Sequence, residues 1–444
     1  MKKMIRTTSA ILATGMLLTG CKFGWGSERP DGRVTSDPDA DTVVSVPDAD
    51  DKTGERTGMD IAGIGNATYD QDTEEAYLDF AISLYSQCAS SSDENTMISP
   101  ASVLFALGMT SAGAGGNTLD QMVDTMAPGQ DAYSLQAFAG DYNRRLNEAA
   151  DITLQSANSI WLNELNNVSV YGDFLDYVTD TYDAQVSSVA FDPDGIATMN
   201  GWVDDATNGM IDQIVPADLD PTAVMILINA VAFDAEWSDG FSEDMIHNGI
   251  FHNSDGTTSD VTMLHENEGS IYLETGLATG FARYYGEDND YYFVAMLPED
   301  ESVSANEFAS SLTADDFREF IDSMTTEYNV IYELPEFESD YNILMNDVLT
   351  DMGIEDAFMS DGTADFSNMS NFELYINNVI HKTHIEVNRE GTSAAAATAV
   401  EMDLRCVAPS DSDDRYVILD RPFAYAIVEA STGLPLFIGT VNTL

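Results

Sequence analysis

Residues Gly391 to Leu404 are written as a strand without a settled place in a sheet. The even positions run Thr392, Ala394, Ala396, Thr398, Val400, Met402 and Leu404, while the odd ones end in Glu401 and Asp403. From Thr398 onward this is period-two alternation, one face apolar and one polar. The first half is a run of alanines that fits almost any surroundings, and the segment leads into the acidic, Ser-rich stretch Ser410–Asp414 expected of an exposed loop. Such a segment suits water in one state and the middle of a sheet in another. A central strand tolerates no bulky or charged group on its inward face, where overpacking or desolvation costs roughly 1–3 kcal/mol or more. Nor does it tolerate proline, which cannot donate to the ladder, and none falls between Thr392 and Arg405.

The 444 residues carry 17 basic and 77 acidic side chains, a formal charge of −60, yet 44% are hydrophobic. The composition is that of a globular protein and not of a disordered polyanion. Self-repulsion on this scale is tolerable where salt shortens the Debye length to ~3 Å at 1 M, so a halophilic source is expected. Nucleic acid and anionic lipid surfaces are excluded as direct partners by the same charge.

Residues 1–20 read as a targeting segment: Lys2, Lys3 and Arg6, then an apolar stretch from Ala10 to Leu18, closing on Leu18-Thr19-Gly20-Cys21. The ending is similar to the lipobox of prokaryotic lipoproteins, in which the cysteine after the cut is lipidated. Residues 21–70 then form a lipidated Cys21 and an acidic, Pro- and Gly-rich tether, and 71–444 one folded domain. The expected product is exported and held by lipid at the outer face of the cell membrane, or is extracellular. Cys88, in an amphipathic helical pattern, reads as core; Cys406 reads as loop.

Helical spacing begins at Thr73, and a very apolar helix opens after Ser99-Pro100. Helices are expected near 131–149, 171–182, 196–207, 305–323 and 341–352. Strands are expected at 152–162, 223–233, 291–297, 329–334, 373–387, 416–419, 423–429 and 436–441. Strands clustered toward the C-terminus with irregular connections make an α+β fold. Gly113-Ala114-Gly115-Gly116 lacks the Gly-Lys-Ser/Thr ending of a phosphate loop and reads as a helix connection. No Ser/His/Asp or metal constellation is suggested by five scattered histidines, so neither catalysis nor a cofactor is expected. His381 and His384 would point to opposite faces of a strand.

Ordered blocks along the body include Asn95–Ser102, Asn200-Gly201-Trp202-Val203, Asn229-Ala230, Leu334-Pro335-Glu336-Phe337, Met352-Gly353-Ile354, Ala364–Ser367, His381–Asn388, the segment from Gly391, and Arg421-Pro422-Phe423. In this order over residues 73–444 they resemble the serpin family. The resemblance implies three β-sheets, about nine helices and an exposed reactive centre loop, here about 389–415. It also implies a suicide mechanism: a serine protease attacks the loop, and the cut loop inserts as a central strand before the acyl-enzyme can be hydrolysed.

Placed on this chain, the hinge glycine is Gly391, and the inward side chains of the inserting strand are Thr392, Ala394, Ala396, Thr398, Val400 and Met402. The scissile bond falls at Arg405-Cys406, where a guanidinium suits a trypsin-like primary pocket; Leu404 is the alternative anchor. Ser99, Ser102, Asn229 and His381 match a hydrogen-bonded cluster beneath the point where the sheet parts. The acidic and basic residues that commonly face each other near Trp237 are exchanged, giving Glu336 and Arg389 as a charge-swapped latch. The partner implied is a target serine protease in covalent complex with a monomer. A cysteine protease target, or a non-inhibitory binding protein of the same fold, are the rival expectations.

Overall fold

The computed structural model describes residues 56–149, 153–207, 209–392 and 414–444, with backbone alone at 153–157 and 232. Its helices are α1 (Ile61–Ile64), α2 (Gln71–Ser90), α3 (Pro100–Ala112), α4 (Gly116–Met126), α5 (Ala132–Glu148), α6 (Gly172–Tyr182), α7 (Pro193–Ala206), α8 (Ala305–Ser311), α9 (Ala314–Asp322) and α10 (Asn346–Asp351). The strands are β1 (Met97–Ile98), β2 (Thr153–Asn163), β3 (Gln185–Val189), β4 (Met225–Glu236), β5 (Ile246–His252), β6 (Thr258–Gly269), β7 (Tyr272–Glu274) and β8 (Ala278–Tyr284). They continue with β9 (Tyr291–Pro298), β10 (Asn329–Pro335), β11 (Phe337–Leu344), β12 (Asn378–Val387), β13 (Gly391–Thr392), β14 (Asp414–Ile418), β15 (Phe423–Glu429) and β16 (Pro435–Val441).

Three sheets result, ordered β11-β12-β13-β4-β2-β3, β14-β10-β6-β5 and β1-β16-β15-β9-β8-β7. Every residue of β9, β15 and β16 is buried, so these strands carry apolar side chains on both faces instead of alternating. α3 runs between β16 and β4. All 13 of its residues are buried, which is why its sequence is apolar on every side. Its start is fixed by Ser99, whose side chain accepts from the Ser102 N–H, and by Pro100 in the first turn. In α2 the stripe Tyr77, Phe80, Ala81, Leu84, Tyr85 and Cys88 is wholly buried, as the three-four spacing requires.

The helix expected over 305–323 is two helices, because Ser304/Glu307 and Thr313/Asp316 each form a capping box and the second interrupts the run. The helix expected from 341 begins only at Asn346, since Tyr341–Leu344 pair with His381, Lys382, Thr383 and Ile380 as the end of β11. Strand β12 starts at Asn378, not at 373, because the Asn377 side chain turns to accept from the Val224 and Met225 N–H groups. Strands β5 to β8 escaped sequence reading. β6 shows why: half exposed, it carries Thr, Ser, Asp and Glu where alternation is normally read.

The tether expected through residue 70 ends sooner. Arg56 makes two hydrogen bonds to the Asp173 carboxylate at 2.6 and 3.0 Å, Thr57 bonds Asp365 at 2.5 Å, and Met59 and Ile64 are buried. Ile61 and Tyr69 pack partly buried against the same core, so four apolar side chains in a largely polar stretch join these polar contacts in docking it. Residues 1–55, including Cys21, lie outside the described residues.

Candidate functional site

The first sheet has an unusual seam. From Asn378 to His384, β12 pairs directly and in parallel with β4 over Ile226–Ala232. At the upper end the two strands separate, and β13 stands between them, Thr392 opposite Val387 on one side and Ala235 on the other. The hinge expected from the sequence is therefore already seated as the first two residues of a central strand. Gly391 is required there: a Cβ would stand 2.1 Å from the Ala235 carbonyl oxygen. Thr392 is buried, and its hydroxyl lies 2.6 Å from the Tyr285 hydroxyl.

The chain reaches this position through a turn organised by Asn388, whose side-chain oxygen accepts from the Glu390 N–H at 2.9 Å and the Gly391 N–H at 3.2 Å. Trp237 holds the turn from beneath. Its indole N–H donates to the Asn388 carbonyl at 2.9 Å, its backbone N–H to the Glu390 carbonyl at 2.9 Å, and its ring stacks on Tyr285 at 4.6 Å and 11°. Burial pushes the Tyr285 phenol well above its ordinary value, so it acts as a neutral hydroxyl toward Thr392. Glu336 and Arg389 meet beside the turn, Arg389 Nε 3.5 Å from Glu336 Oε1. The same oxygen accepts from the Arg389 backbone N–H at 3.2 Å.

Below the hinge, a polar row crosses the closed seam. Asn158 on β2, Asn229 on β4 and His381 on β12 are direct neighbours in register. The Asn229 amide donates to Asn158 Oδ1 at 2.7 Å, to the Ser102 carbonyl at 2.9 Å and to the Ser102 hydroxyl. His381 Nδ1 lies 2.5 Å from Asn229 Oδ1, and His381 Nε2 accepts from the Ser99 N–H at 3.3 Å. The second contact leaves the proton on Nδ1, so the ring is neutral. Burial alone brings the imidazole down to about 3, consistent with that state.

Each of these groups is buried, and each finds a partner within the row or at the start of α3. A strand entering between β4 and β12 must break the Asn229–His381 bond. It leaves intact what Asn229 gives to Ser102 and Asn158. The arrangement can thus hold the seam shut and lose one bond to open it.

The four cluster residues, Trp237, Glu336, Arg389, Gly391 and Thr392 are thus gathered along one seam. Ala394, Ala396, Thr398, Val400, Met402, Arg405 and Cys406 lie outside the described residues. Asn158, Tyr285 and Asn388 were not given roles; Asn388 closes the block His381–Asn388, and Asn158 follows Ala157 on β2 opposite Asn229. His384 faces away from His381, 3.0 Å from Asp340. Two of the five histidines meet in space: His247 and His265 converge on Glu333, a grouping that their spacing in the sequence does not suggest.

A sheet that seats Gly391 and Thr392 between two of its strands, beside a seam closed by a polar row, defines the scaffold. The family model for serpins, serine protease inhibitors, matches residues 75–444, and the chain belongs to that family. A serpin-like protein of Methanosarcina mazei is 30% identical over 393 residues, 87% of this chain and 88% of its own. Iris of Ixodes ricinus is 30% identical over 378 residues, 83% and 98% of the two chains. Among solved structures, the thermophilic serpin tengpin in its native state superposes with a TM-score of 0.76 at 38% identity, covering 88% of this chain and 96% of tengpin. Its latent state gives 0.71 at 36% identity, covering 84% and 98%. Human thyroxine-binding globulin, solved with its hormone, shares the fold with a TM-score of 0.73 at 24% identity, covering 84% and 99%.

Proposed function

We propose that the protein inhibits serine proteases as a single-use substrate, trapping the acyl-enzyme by inserting its cleaved loop between β4 and β12. The observation that carries this is the seam: closed by direct pairing over residues 378–384, yet holding Gly391 and Thr392 in the position of a further strand. Serpin loop insertion is itself a standing example of strand addition that releases stored free energy. In chemical terms, the protease serine attacks the carbonyl of the residue before the scissile bond, forming an ester and releasing the amine end. The loop then zips into the seam from Thr392 onward and carries the bound protease with it, before water completes hydrolysis. With Arg405 at the acyl side, the target is trypsin-like. A lipidated Cys21 would place this activity outside the cell; a Cys21→Ala chain still found with membranes would count against the anchor.

The test is incubation with trypsin, subtilisin and papain in molar salt, followed by a denaturing gel. A covalent complex with trypsin that survives denaturation is expected. Cleavage in the loop without any complex would overturn the inhibitor reading in favour of a binding protein, and a complex with papain alone would move the target to cysteine proteases.

A further inference from the structure

We propose that His247, His265 and Glu333 form a binding site for a divalent transition ion of the Zn²⁺ type, tying together three strands of the second sheet. The residues come from β5, β6 and β10, one from each. His247 Nε2 lies 3.2 Å and His265 Nδ1 3.4 Å from the same oxygen, Glu333 Oε1. One ligand atom from each residue is within 4.8 Å of the other two.

The outer nitrogens of both rings face oxygens that can accept. His247 Nδ1 lies 3.1 Å from the Asn248 carbonyl, and His265 Nε2 lies 2.8 Å from Asn267 Oδ1. A carbonyl oxygen cannot donate, so each outer nitrogen carries a proton, and in the neutral rings each inner nitrogen presents a lone pair to Glu333 Oε1. Two lone pairs then point at one carboxylate oxygen. That repels unless a cation lies among them, either a second proton on each ring or one metal ion.

Two features favour the metal. His265 Nδ1 is shielded from solvent and makes no hydrogen bond, although the carboxylate is within reach. And with Zn–N and Zn–O bonds of about 2.0–2.1 Å, ligands at two corners of a tetrahedron stand about 3.3 Å apart, matching the 3.2 and 3.4 Å separations. Two imidazoles and one carboxylate select a borderline ion over Mg²⁺ or Ca²⁺, which prefer oxygen alone. The cluster lies at the surface, the His247 side chain being 46% exposed.

The place gives the site a consequence. β14, the strand entered from the far end of the loop, pairs with β10 from Asn329↔Asp414 to Glu333↔Ile418. An ion fixing β10 to β6 and β5 stiffens the sheet that anchors the loop opposite its hinge. Exposed carboxylates elsewhere offer oxygen ligands alone, except in the Glu338, Asp340 and His384 group, so the test needs a readout that the first cannot mimic and a variant that separates the second.

That readout is the visible absorption of four-coordinate Co²⁺. Titrated into the full chain in molar salt with excess Mg²⁺, Co²⁺ should give an intense band saturating at one ion per chain and displaced by Zn²⁺. His247→Ala and His265→Ala should each weaken binding more than about tenfold, while His384→Ala should leave it unchanged. Metal-free melting temperatures check that the variants fold, and Glu333→Gln, nearly isosteric, serves if either alanine variant does not. No such band in the parent chain, or the same band in a chain carrying both His247→Ala and His265→Ala, would overturn the proposal. So would loss of the band in His384→Ala alone, which would assign the ion to the Glu338, Asp340 and His384 group.

Discussion

His381 is the residue whose environment speaks most directly to function. The folded chain holds it at about 3, whereas an unfolded histidine titrates near 6.5. Above about pH 6.5 neither state takes the proton and the group adds no pH dependence. As pH falls from 6.5 toward 3 the unfolded chain binds a proton that the folded chain refuses, so stability is lost through that window, at most ~1.4 kcal/mol per pH unit. Unfolding free energies measured at pH 7.5 and 5.5 should therefore fall about 1.4 kcal/mol further in the parent chain than in His381→Asn. Equal falls would remove His381 as the cause. Cys88 sits at the opposite extreme. Burial pushes its thiol up to about 12, so it is core and not chemistry, as its place on the helical stripe foretold.

At the scale of elements, the turn between β12 and β13 bears the latch. Arg389 is 42% exposed and Glu336 24%, so their coupling in a double-mutant cycle should be no more than about 1 kcal/mol and should weaken in salt. Glu336→Ala should speed spontaneous conversion to a more heat-resistant form beyond what Arg389→Ala does, because Glu336 Oε1 also accepts the Arg389 backbone N–H. Equal rates for both variants and the parent would remove the latch. Arg389 was legible from its place two residues before the Gly391 hinge, whereas its partner Glu336, 53 residues away, came only through the family resemblance. Also legible were α2, α3, β9, β15 and β16, whose apolar patterns are set by burial. The strands β3, β5 to β8 and β11 were not. Their partners are remote in sequence, and at Tyr341–Leu344 pairing with β12 outweighs a locally helical spacing. The same remoteness hid the meeting of His247, His265 and Glu333 on three strands, and a few apolar side chains spaced among polar ones gave little warning that residues 56–70 dock.

For the whole molecule, the account rests on a sheet closed short of its fullest hydrogen bonding. Direct pairing of β12 with β4 occupies the place of a strand that the chain itself carries, and the polar row of Asn158, Asn229 and His381 guards the seam. Insertion breaks the direct β12–β4 ladder and one side-chain bond across the row and forms two ladders in their place, a net gain of one, so on this account the open-loop form lies uphill of the inserted one. The most direct measurement is the melting temperature, in molar salt, of chain cut once within residues 393–413 against uncut chain. Metastability predicts that the cut protein melts far higher than the intact one; a cut protein that melts at the same temperature or lower would contradict the account.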